Sequence, residues 1–192
     1  MLEEEYQPRR SLPPHLRPAP APPPVFEYSI RDAVAEDLPH IREIYNHYVR
    51  NSTVTFDEKA ITLAELRRKF AKATKLKMPY IVAVSPGGQI LGYAYVYPWR
   101  EKAAYRFTVE NSIYLGPAST GKGLGKVLMQ ELITRSKAAG LKEIIAVIAD
   151  KGADASIQMH KNFGFKEIGH MGRVGFKFGR WLGTVMMQKS LK

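Results

Sequence analysis

Cysteine is absent from the 192 residues, which excludes disulfides, thiol nucleophiles and cysteine-held metals. No stretch approaches the roughly 18–20 consecutive apolar residues that a membrane helix needs. The N-terminus opens Met-Leu-Glu-Glu-Glu and builds no apolar core for a secretory signal. Three early glutamates also argue against an acid-poor transit peptide. A cytoplasmic protein is therefore expected. Proline is scarce too, outside one place: eight of thirteen fall within residues 1–24. Proline fixes φ and removes backbone donors, so that segment reads as an extended tail, disordered and outside the core. Residues 25–192 are then expected to form one domain.

Excess positive charge is what the chain has in quantity. The formal net charge is +11. Residues 116–192 carry 13 Lys/Arg against 5 Asp/Glu, whereas the tail is neutral. Such a surplus suits nucleic acid or a phosphorylated small molecule.

The periodicity alternates between strand and helix. Residues 25–31 read as a first strand. Asp37 is expected to cap a helix with Pro39 in its first turn and Leu38, Ile41, Ile44, Tyr45, Tyr48 and Val49 at helical spacing. Thr62 and Glu65 form a capping box before a second helix. Residues 79–85 and 89–97 make a hairpin around Pro86-Gly87-Gly88, and a long strand is expected from Tyr105 to Leu115. A third helix follows, with Leu124, Val127, Leu128 and Leu132 as its buried face and Gly140 as its stop. Residues 143–149 are a buried strand, 154–163 a fourth helix, and 165–174 with 181–191 a terminal antiparallel pair. The fold class is α/β, with a mixed, mostly antiparallel sheet and about four helices.

Between strand and third helix stands Ser119-Thr-Gly-Lys-Gly-Leu-Gly-Lys126. Glycines let backbone N–H groups turn inward, and a helix N-terminus adds its positive dipole. Lys122 and Lys126 add full charges, so this turn predicts an anion, a pyrophosphate by preference. It lacks the Gly-Lys-Ser/Thr of a Walker loop, and it comes too late in the chain for a dinucleotide fingerprint.

Several segments in register carry a resemblance. Residues 105–115, the glycine turn and residues 155–165 are similar to the GNAT acetyltransferases. With residues 44–48, 52–56 and 175–182, they resemble the phosphinothricin and methionine sulfone acetyltransferase branch over residues 30–191. The resemblance implies acetyl-coenzyme A as donor, a small amino-acid-like amine as acceptor, a homodimer and no metal. Gly121, Lys122, Gly123, Leu124, Gly125 and Lys126 correspond to pyrophosphate contacts. Ile113, Tyr114 and Leu115 correspond to the strand along which pantetheine lies, and Asn162 to a further coenzyme contact.

Glu110 corresponds to the general base. An α-ammonium must lose a proton before it attacks a thioester, and a carboxylate within reach can take it. His160 is expected to protonate or hydrogen-bond the departing thiolate, or to assist the base. Arg106, four residues before Glu110 and so on the same strand face, suits a substrate carboxylate or phosphinate. Trp99, Arg100, Tyr105 and Phe56 are further substrate candidates by analogy. Three positions depart from the branch: Thr120 replaces Gln or Arg, Ala153 an Asn, and Gly183 an acidic residue.

Three other readings stand beside this one, one of them a GNAT-fold acyl-coenzyme A binder without catalysis, suggested by the three departures. The same chemistry can serve a polyamine or a peptide; an open groove is expected for a peptide and a closed pocket with Arg106 for an amino acid. A basic nucleic-acid module calls for exposed aromatics, whereas Phe107 and Tyr114 read as strand-core residues.

Overall fold

A computed structural model describes residues 26–192; the expected proline-rich tail and its boundary with the domain fall outside these residues. Four helices and seven strands follow in the expected order. They are β1 (Ser29–Asp32), α1 (Leu38–Asn51), α2 (Leu63–Lys75), β2 (Tyr80–Val84), β3 (Ile90–Pro98), β4 (Thr108–Leu115), α3 (Leu124–Ala138), β5 (Glu143–Ala149), α4 (Asp154–Asn162), β6 (Lys166–Lys177) and β7 (Arg180–Ser190).

The strands form one sheet ordered β1-β2-β3-β4-β5-β7-β6. Every neighbour is antiparallel except β4 with β5. The mixed, mostly antiparallel α/β class is thus borne out. Helices cover both faces because successive strand residues point to opposite sides. One face carries Tyr80, Val82 and Tyr93 against Leu38, Ile41 and Val49 of α1 and Leu66 of α2. The other carries Ile81, Ala94, Val109 and Ile144 against Leu124, Leu128 and Leu132 of α3.

Local signals explain most boundaries. Thr62 Oγ1 accepts the Glu65 N–H at 3.2 Å while the Glu65 carboxylate accepts the Thr62 N–H at 2.8 Å, the reciprocal cap that the sequence announced. Gly140, at φ +80°, ends α3.

Other expectations need correction. Asp37 does not cap α1 with its side chain. Its carboxylate accepts the Val34 N–H at 2.9 Å and two bonds from Arg31 at 2.6 and 2.8 Å, so it ties the 3-10 turn before α1 to β1. On α3 Val127 is exposed and Met129 is fully buried in its place. The strand expected from Tyr105 begins at Thr108, because residues 103–105 form a 3-10 turn.

The parallel junction is where the sheet opens. β3 follows β4 from Pro98↔Val109 to Gly92↔Leu115, and β7 follows β5 to Ala149↔Thr184. β4 and β5, by contrast, pair only at Thr108↔Glu143, Val109↔Ile144 and Glu110↔Ile145. Beyond Glu110 they diverge, leaving a fork inside the sheet.

Candidate active site

Glu110 is the last β4 residue before the fork. It faces Tyr97 across β3–β4, on the α1–α2 side of the sheet. Burial raises its pKa above the ordinary carboxylate value, with Lys69 and Arg100 opposing. A carboxylate so placed is a better proton acceptor near neutral pH than an exposed one.

Lys69 and Lys72 of α2 lie over the Tyr97 ring, 6.0 and 5.4 Å from its centroid. Lys69, Tyr97 and Phe56 line an open groove with Asp57, Glu58 and Arg68. Phe56 packs so closely on β6 that a Cβ at Gly175 would meet its ring at 2.5 Å. Arg100 stacks on Trp99 at 4.7 Å just beyond β3.

Arg106 does not share a strand face with Glu110. It sits in the turn before β4, exposed, with Nη1 donating to the Ala103 carbonyl at 3.3 Å and its guanidinium over Phe107. Tyr105 and Phe107 are exposed as well. Phe107 is therefore not the core residue that its place in the sequence suggested. Tyr114 does join the interior, within 5.5 Å of the Tyr45, Tyr48 and Tyr93 ring centres.

The glycine turn is built for an anion. Gly121 and Gly123 have φ of +72° and +79°, and a Cβ at either would meet nothing within 4 Å. Gly123 is the N-cap of α3, and no side chain caps that helix. The first N–H groups of α3 are thus left for an incoming acceptor. Lys126 is exposed beside them, and Lys122 reaches over the Phe26 ring at 4.6 Å. Ile113, Tyr114 and Leu115 continue β4 from the fork toward this turn; the Leu115 carbonyl accepts from Tyr48 Oη at 2.8 Å. A diphosphate attached to a narrow amide-bearing arm fits this arrangement: the turn would meet the phosphates and the unpaired edge of β4 the arm.

α4 brings His160 to the opposite face of β4 from Glu110. Its ring is buried and hydrogen-bonded to Asn111 and Ser156, not to Glu110. Burial lowers its pKa, while the Ser156 backbone bond raises it. Asn162 is exposed and its Oδ1 accepts from Gln158 at 2.9 Å.

The family model described as an acetyltransferase (GNAT) domain matches residues 30–186. This chain belongs to the GNAT acetyltransferase family. A GNAT phosphinothricin acetyltransferase from Sinorhizobium meliloti, solved in complex with acetyl-coenzyme A, shares 45% identity with this chain. That match has a TM-score of 0.81 and covers 85% of this chain and 88% of the other. A phosphinothricin N-acetyltransferase from Alcaligenes faecalis is 41% identical over 85% of this chain and 82% of its own. An L-methionine sulfoximine/L-methionine sulfone acetyltransferase from Pseudomonas paraeruginosa is 43% identical over 85% and 94%.

The three departures have local explanations in this GNAT domain. Thr120 Oγ1 donates to the Pro117 carbonyl at 3.1 Å and so stiffens the turn. Ala153 is buried and begins α4 without a side-chain cap. At 183 there is no room for a side chain: a Cβ would meet the Asp150 carboxylate and, at 2.5 Å, the Met171 carbonyl. Asp150, at the end of β5, accepts the Gly183 N–H at 3.0 Å and contacts His170 at 3.2 Å. A carboxylate from just beyond β5 thus lies against the glycine of β7.

Sequence reading missed Asn111, Lys69 and Lys177. Asn111 differs from its polar neighbours only through its contact with α4. Lys69 looks like any exposed helical lysine. Lys177 alternates with Phe176 and Phe178, and nothing in that pattern announces a buried ammonium.

Proposed function

We propose that the enzyme moves acetyl from acetyl-coenzyme A to the amino group of a small amino-acid-like substrate, of the phosphinothricin or methionine sulfoximine/sulfone type. The observation that carries this reading is Glu110, whose proton affinity is raised by burial at the last paired position before the fork. The coenzyme pyrophosphate lies on Gly121–Lys126, with Ile113–Leu115 beside its arm and Asn162 near its outer end. Backbone N–H groups of β4 beyond the fork polarise the thioester carbonyl. Glu110 takes the proton that the ammonium must lose, directly or through a water, and the neutral amine attacks. Transfer is direct, with no acyl-enzyme. Substrate anions fall to Arg100 and Lys69, the two cations that act on Glu110. Phe56, Trp99 and Tyr105 supply apolar contact, and Arg106 reaches the substrate only if its turn folds inward.

The protein works as a homodimer in the cytoplasm. Support for the dimer is the exposed apolar set Val174, Phe176, Phe178 and Trp181 on the β6–β7 hairpin. No helix among the described residues is long and apolar enough to cross a membrane.

Thiol release from acetyl-coenzyme A is the test, run with phosphinothricin, methionine sulfoximine, methionine sulfone, common amino acids, polyamines and a short peptide. Turnover with one of the first three supports the reading. Turnover confined to the polyamine or peptide replaces the acceptor.

A further inference from the structure

Asn111 is the first β4 residue beyond the last pairing with β5. It is 8% exposed, and its Nδ2 lies 3.0 Å from Nε2 of His160, which is 4% exposed. The two side chains join β4 to α4 directly at the fork.

Their hydrogen bonds determine where the ring proton sits. Nδ1 of His160 is 2.8 Å from the Ser156 carbonyl oxygen, one turn earlier in α4. A carbonyl can only accept, so Nδ1 carries hydrogen. Nε2 of the neutral ring then offers a lone pair, and the Asn111 amide donates to it. Turning that amide over would set two acceptors against each other. The orientation that suits the neutral ring leaves Asn111 Oδ1 buried without a partner.

Other neighbours give the ring no reason to charge. Phe165 meets it edge-on, with centroids 4.8 Å apart, and Ser156 Oγ is 3.5 Å from Nδ1. No carboxylate among the described residues pairs with it, and Glu110 leaves β4 on the other face.

We propose that Asn111 is a positioning residue that locks His160 as the neutral Nδ1–H tautomer, making the ring a fixed acceptor at the fork and not the acid for the departing thiolate. This rests on the fork being the acyl site, as read above. During transfer the N–C bond forms and the C–S bond breaks, the electron pair leaving on sulfur. The nitrogen sheds two protons in all: the ammonium's passes through Glu110 to solvent before attack, and the one released as the N–C bond forms passes through Glu110 or solvent to the thiolate. His160 gains and loses nothing.

Long-range proton–nitrogen spectra of the full chain, labelled with nitrogen-15 histidine, test this directly. His160 should show a protonated Nδ1 and a lone-pair Nε2 around neutral pH, with and without coenzyme A. An Nε2–H tautomer or an imidazolium there overturns the proposal. Kinetics give a second readout through Asn111→Asp, which sets a carboxylate against Nε2 and favours the imidazolium. The rate constant kcat should fall about tenfold or more while KM for acetyl-coenzyme A stays near wild type. A retained or raised kcat would mean that a charged ring serves the reaction, and the proposal fails. The spectra need no acceptor amine, so they stand whatever the substrate panel shows.

Discussion

Lys177 Nζ donates to the main-chain carbonyl of Thr55 at 2.7 Å, tying β6 to a loop 122 residues earlier. A second bond runs to Ser52 at 2.8 Å, and the lysine is 2% exposed. From the other side Tyr45 Oη reaches Asp57 at 2.5 Å. The segment that presents Phe56 to the groove is therefore held by a buried ammonium and a buried phenol.

Replacing Lys177 by Met should release that segment. Two bonds from a charged donor are lost, each contributing roughly 1.5–3 kcal/mol, offset in part by no longer burying a charge. KM for the acceptor amine should rise while KM for acetyl-coenzyme A holds. Steady-state kinetics with each substrate varied in turn, beside a urea titration, checks both effects. Equal rises in the two constants would mean that the loop serves the whole domain.

Glu110→Gln should lower kcat by about two to four orders of magnitude while acetyl-coenzyme A still binds. Wild-type activity should also fall on acidification above the ordinary glutamate range, because burial raises this carboxyl and only its ionised form is a base. The variant should lose that acidic limb. A pH–rate profile of both proteins decides, and an unchanged rate at neutral pH removes Glu110 as the base.

Gly123 sits at φ +79°, where an L side chain costs roughly 1–2 kcal/mol. Gly123→Val should reshape the start of α3 and raise KM for acetyl-coenzyme A well above any change for the amine. Calorimetric titration with coenzyme A measures the loss without turnover. Unaltered affinity would mean that the pyrophosphate binds elsewhere.

Asp150 and Gly183 should behave as one unit. Gly183→Ala drives a methyl into the Asp150 carboxylate and should cost about 1–3 kcal/mol from overpacking. Combining it with Asp150→Ala should recover part of that loss, although the Met171 carbonyl remains in the way. A double-mutant cycle by denaturant titration gives the coupling. Strict additivity would show that the two residues act independently.

Acid sensitivity should trace to Asp37. Its bond with Arg31 lowers its pKa, helped by the Val34 N–H. A depressed folded value contributes stability that is present above the unfolded pKa and lost as pH falls through the folded one. Asp37→Asn should therefore destabilise at neutral pH and matter little in strong acid. Melting temperatures of both proteins across the acid range test the sign.

Element order, sheet class and the glycine turn were legible because each rests on local chemistry. A capping box, a positive-φ glycine and an apolar stripe are written within a dozen residues. Arg106 shows where this stops: a continuous alternating run reads as one strand, yet the backbone turns at Ala103–Tyr105 and rotates the arginine away. Asn111, Lys69 and Lys177 take their character from partners on other elements. The surroundings of Gly183 were half visible, since the absence of an acid there could be read but the Asp150 carboxylate beside it lies 33 residues away.

The fork in the sheet carries a consequence for what this protein must refuse. A free strand edge ordinarily invites other chains, and exposed edges are sites of aggregation. Here the open side of β4 faces β5 across a slot within its own sheet, closed at one end by three residue pairs. A folded neighbour cannot insert a strand there without prising the domain apart. Thin linear molecules with amide groups can slide in from the open end. An opening that serves the proposed donor arm would thus act as a filter by girth, keeping a sticky backbone edge in service without advertising it.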